Sequence, residues 1–148
     1  MERVMIPRRG VGVTYEGLME CLAEQERLSG HSIELQKGDI LLIRSGYTKR
    51  YLESSDKDQR GMAHRYPPVA CGINQDIRIL WFLWDKQVAV FYHKVLLAGW
   101  GCSIEELLWL EDLARECAKQ KRWSFFIVSV PLHVPGGVAS PANMTAIL

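Results

Sequence analysis

The sequence predicts an α/β domain, and two observations carry that expectation. Stretches with the apolar spacing of helices run along the chain, and uninterrupted apolar runs of strand length alternate with them. At 148 residues the chain suits one domain, taken as 1–148. No repeat or low-complexity segment interrupts it.

The first helix is predicted over Tyr15 to Glu26, where Leu18, Met19 and Leu22 fall on one stripe behind Thr14 as N-cap. Lys37-Gly38-Asp39 reads as a turn leading into Ile40-Leu41-Leu42-Ile43, an apolar run that suits a strand covered on both faces. Residues 48–68 are polar and end in Pro67-Pro68, which predicts a surface loop with room for one helical turn. Asp76 to Asp85 then reads as a buried helix carrying Trp81 and Trp84, and Val88 to Phe91 as a short strand. Ser103 to Gln120 has the clearest helical pattern, with Leu107, Leu110, Leu113, Ala114 and Cys117 at three- and four-residue intervals. Trp123 to Val130 is a second apolar strand, expected to lie buried in one sheet with Ile40–Ile43. Pro131 to Pro141 holds three prolines and two glycines, so an irregular, constrained loop follows it.

Eighteen basic residues stand against seventeen acidic ones, a formal net charge of +1. Neither nucleic acid nor an anionic membrane surface is suggested by that balance. The one basic run, Lys119 to Arg122, sits where a helix should end and complements its dipole. Cys21, Cys71, Cys102 and Cys117 form no C-x-x-C pair, so no redox or zinc knuckle is indicated. Met1 to Gly10 lacks the apolar stretch of a signal peptide, and no run approaches the ~20 residues of a membrane span. A cytoplasmic protein with free thiols is the expectation.

His93 is the most interesting titratable residue, because it follows an apolar strand where an imidazole can face a cleft and ligate a metal. An ordinary exposed or hydrogen-bonded histidine fits the same position. Glu106 is a second candidate ligand, but Ser103-x-x-Glu106 also has the spacing of a capping box. His31, His64 and His133 share no ligand spacing with His93. Ser45 and Ser140 lack the G-x-S-x-G elbow of serine hydrolases. Spacing alone therefore defines no site.

Longer segments resemble the metal-dependent cyclase and kynurenine-formamidase-like hydrolases, especially fungal members. Lys37 to Thr48 (KGDILLIRSGYT) is similar to their K-P-G-D-I-L-I-x-R-T-G-F-T strand, and Trp81 to Asp85 to their W-L-W-D helix. His93 to Ile104 resembles L-H-x-x-L-L-A-x-W-G-x-P-I-G-E, and Trp109 to Leu113 continues that block. Arg122 to Phe126 and Pro131 to Asn143 resemble R-W-S-F-F and P-L-N-V-P-G-G-V-A-S-P-P-N. Arg9-Gly10-Val11 and Tyr15 are similar to the R-G-V-L-L-D-Y entry. The likeness runs through most of the chain in order and is weak over residues 49–74.

The resemblance implies a swivelling β/β/α-type layered domain. It also implies hydrolysis of an amide or lactone bond in a small-molecule substrate, with N-formylkynurenine of tryptophan catabolism as the model. A divalent metal, zinc or manganese, would polarise the carbonyl and lower the pKa of a bound water. His93 and Glu106 match metal-ligating positions, and His133 and Ser140, in the proline-rich loop, would line the pocket. A homodimer is compatible with the fold. The family's histidine-rich H-x-G-T-H-x-D-x-P-x-H cluster has no counterpart in these residues, the A-V-A-G-D loop before His93 is shortened, and His133 replaces an Asn. These departures imply a domain incomplete at its N-terminus, its metal site lost in part and its activity weak or absent. The alternative is a non-catalytic remnant or interaction protein that keeps the fold.

Overall fold

A computed structural model describes residues 12–66, 72–87, 99, 106–137 and 139–148. Within them the chain is mixed α/β: helices α1 (Tyr15–Ser29), α2 (Tyr47–Leu52), α3 (Asp56–Ala63), α4 (Ile77–Lys86) and α5 (Glu111–Gln120), then strands β1 (Phe126–Ser129) and β2 (Met144–Ile147).

α1 begins where the sequence places it. The Thr14 hydroxyl accepts a 3.0 Å hydrogen bond from the Gly17 amide, satisfying one of the orphan donors of the first turn. Gly30 ends the helix at φ +77°, a left-handed angle that glycine adopts without a Cβ penalty. Thr14→Ala is expected to cost about 1 kcal/mol, the usual value of an N-cap, read as a lower urea midpoint with unchanged slope.

The core is centred on α4. Ile79 and Leu83, four residues apart on one stripe, are fully buried. Tyr15, Leu35, Leu41, Ile43, Ile73 and Phe82 pack around them. Asp76 caps the helix through the Arg78 amide, and the Arg78 side chain bridges to Glu16 at the start of α1 and lies 5.1 Å from the Tyr15 ring centroid. Its guanidinium holds the Asp76 carboxyl below the usual carboxylate range. The expectation of a buried tryptophan helix needs correction. Only one stripe of α4 is inside, and Trp81 and Trp84 are 62% and 60% exposed.

Val13 and Ile73 form an isolated parallel bridge, with the Val13 amide donating to the Gly72 carbonyl at 2.8 Å. A side chain at Gly12 would strike the Asn74 amide group, so this crossing needs a glycine. The Lys37–Asp39 turn is present, Gly38 at φ +89°, and the Gly38 amide donates to the carbonyl of Gln87 at the end of α4. That bond sets residues 40–43 beside α4.

The strand expected at Ile40–Ile43 is not formed. Ile40 makes a single bridge and is half exposed, while residues 41–43 carry no ladder and use Leu41 and Ile43 to pack on Ile79 and Leu83. An apolar run supplies core contacts in either conformation, and here helix packing takes it. Residues 48–68 also depart from the expected loop. Their described part folds as α2 and α3, the latter capped by the Ser55 hydroxyl accepting from the Asp58 amide. The expected strand at Val88–Phe91 lies outside the described residues.

α5 starts at Glu111, eight residues later than predicted. Leu107 sits at φ +59°, a left-handed angle from which a right-handed helix cannot continue. Glu111 and Asp112 occupy the first turn and favour the positive end of the dipole. At the other end Lys119 lies in the last turn, as the basic run implied. Cys117 is buried, and burial pushes its thiol pKa up, as befits a small inert hydrophobe.

β1 pairs antiparallel with β2 in the register Phe126↔Ile147, Ile127↔Ala146, Val128↔Thr145 and Ser129↔Met144. The buried sheet shared with residues 40–43 is thereby corrected: β1 pairs with β2, and Phe126 is 67% exposed. Among the described residues no second layer covers the hairpin, so its apolar side chains meet solvent.

Candidate functional site

The most informative hollow is a cavity of ≈ 290 Å³ walled by Val13, residues 42–48, Gly72–Ile73 and residues 106–111. Two left-handed residues shape it. Gly46 adopts φ +73° at the N-cap of α2, reversing the chain so that Tyr47 and Thr48 join the wall. The left-handed Leu107 bends the opposite wall and stops the 106–110 segment from becoming helix.

An ion pair joins two lining residues across 67 positions of sequence. Arg44 Nη1 donates to Glu111 Oε2 at 2.8 Å, with the two side chains 22% and 14% exposed. Partial burial weakens solvent screening, so the pair is stronger than a surface one. Each partner alone would leave a half-desolvated charge. Removing either one, in Arg44→Met or Glu111→Leu, is expected to cost about 1–3 kcal/mol, and the double variant less than the sum. Urea unfolding of all four forms measures the coupling.

The remaining polar groups are partly committed. The Trp109 indole N–H donates to Asp112 Oδ2 at 2.8 Å, and the Ser45 hydroxyl accepts from the Tyr47 amide at 3.3 Å. Most of the wall is apolar, from Val13, Leu42, Ile43, Ile73 and residues 107–110.

Of the residues singled out from sequence, Glu106 lines this cavity. It lies ahead of α5, which begins at Glu111. Ser103, its expected partner, and His93 lie outside the described residues. His133 and Ser140 are both exposed in the β1–β2 connection and are not among the residues walling this cavity. The structure thus brings Glu106 into one cavity wall with Arg44, Tyr47, Trp109 and Glu111.

Among the described residues no three His, Cys, Asp or Glu side chains come together. Nor, among them, is any helix long and apolar enough to cross a membrane.

Sequence reasoning missed the Arg44–Glu111 pair and the aromatic contribution of Tyr47 and Trp109. Their residue types carry no spacing signal, because the contact is made between two distant segments. Compared with protein-family models, curated proteins and solved structures, the chain matches none.

Proposed function

We propose that the chain is a cyclase-type hydrolase domain acting on an amide or lactone bond of a small molecule, with weak activity at most. One observation supports this reading more than any other. Residues 42–48 and 106–111, which come from two separate segments resembling that family, wall one cavity, and Glu106 is part of the wall. An apolar hollow with a few convergent polar groups is the usual form of a small-molecule site. The swivelling β/β/α layering and the use of zinc or manganese belong to this proposal. Only His93 and Glu106 match the family's ligand positions, fewer than the three protein ligands of a usual catalytic zinc centre. That shortage is why the expected activity is weak.

The test is hydrolysis of N-formylkynurenine by purified protein supplied with zinc or manganese, followed by release of kynurenine. Slow turnover that a chelator stops and that His93→Ala removes supports the proposal. Turnover no faster than buffer with either metal removes the hydrolase reading and leaves a non-catalytic remnant.

A further inference from the structure

We infer that the outward face of the β1–β2 hairpin is a dimer interface, on which the same face of a second copy stacks. Burial along β1 alternates as in a sheet covered on one side: Phe125 and Ile127 are partly buried, while Ser124, Phe126, Val128 and Val130 are exposed. In the register Phe126 stands opposite Ile147 and Val128 opposite Thr145, so these side chains share the outward face. Val130, whose amide donates to the Asn143 carbonyl at 2.9 Å, extends the row. An antiparallel sheet with one wet side ordinarily turns polar residues outward. Here the outward positions hold Phe126, Val130, Ile147 and Val128, exposed by 67%, 59%, 56% and 37%.

Charge and area identify the occupant. No Asp, Glu, Lys or Arg occurs from Trp123 to Leu148. A two-fold pair sets one patch against itself, so a charge near the axis would meet its like. An uncharged face escapes that repulsion, and it offers nucleic acid or a charged peptide nothing to pair with. The four outward side chains leave roughly 400 Å² of apolar surface open, within the range of the largest patch on a typical monomer. With Leu132 and Val134, exposed two and four residues beyond Val130, a symmetric pair covers about 1,000 Å², the lower limit of a specific interface. Stacking also answers a need of the hairpin itself. Two strands alone are marginal in water, whereas two hairpins packed ~10 Å apart make a four-stranded sandwich.

Sedimentation velocity of the full chain, from about 1 to about 200 μM, tests the inference. A monomer–dimer equilibrium with a Kd on the order of 10 μM and no larger species is expected. With no charge in the interface, that Kd should move less than about twofold between low salt and about 0.5 M NaCl. Val128 lies at the centre of the face, between Phe126 and Val130, and its copy lies near it across the two-fold axis. Val128→Lys and Val128→Glu should therefore each weaken the dimer about tenfold or more, and an equal mixture of the two should pair again. If either loses the native circular dichroism, Thr145→Lys, at an exposed polar position opposite Val128, serves in its place with the same expected loss. A chain that stays monomeric at the highest concentration would overturn the inference. So would growth past the dimer, a dimer indifferent to these substitutions, or a Lys and Glu mixture that fails to pair.

Discussion

Dialysed protein is expected to hold well under one zinc or manganese ion per chain by elemental analysis. A catalytic zinc centre keeps three protein ligands and an open position. The resemblance offers two, His93 and Glu106, and the histidine-rich cluster that would complete them has no counterpart in the sequence. Two ligands hold a divalent ion loosely, because each lost donor must be replaced by water that exchanges freely. The effect is large and simple to read: a fraction of an ion where an intact centre holds a whole one. Stoichiometric metal that survives dialysis and vanishes in His93→Ala would overturn this expectation and restore an intact hydrolase centre.

The largest effect on folding is expected from Leu83→Ala. Leu83 and Ile79 are the fully buried large side chains among the described residues. Replacing such a leucine by alanine costs about 2–5 kcal/mol through lost transfer energy and the cavity left behind. Against a typical total of about 5–15 kcal/mol, that takes a large share. Leu83→Ala should therefore lower the urea midpoint steeply or leave the chain unfolded at 37 °C. Trp81→Ala, on the same helix but 62% exposed, should change it by less than about 1 kcal/mol. Equal losses at the two positions would mean that the core does not sit on the Ile79–Leu83 stripe.

Local signals carried well from sequence to structure. Thr14 before an apolar stripe gave α1 its start, because an N-cap acts within three residues and needs nothing distant. The Lys37–Asp39 turn and the end of α5 at its basic run were legible for the same reason. The proline-rich connection also contains the turn its residues dictate: Val134-Pro135-Gly136-Gly137 closes with the Gly137 amide on the Val134 carbonyl, Gly136 at φ +75°.

What failed depended on contacts between distant segments. Ile40–Ile43 has the composition of a buried strand, yet its partner was α4, and composition cannot distinguish a ladder from a packing surface. The heptad-like leucines of residues 107–117 suggested one long helix, but Leu107 turned left-handed and joined the cavity wall. Glu106 was visible as a candidate, whereas its neighbours Arg44 and Tyr47 were not, being about sixty residues away in sequence.

The hairpin carries a consequence for handling the protein. β1 and β2 pair with each other alone among the described residues, with Phe126, Val128 and Ile147 exposed. Ile127, Met144 and Ala146 are partly covered, so a one-residue slip would turn that face of the hairpin to solvent and Phe126 inward. The exposed apolar side chains of Phe126, Val128 and Ile147 also offer other chains a surface to pack on. Concentration, more than temperature, is then the variable that governs whether this chain stays dispersed, and a lysine in place of Val128 is the smallest change that would act as a gatekeeper.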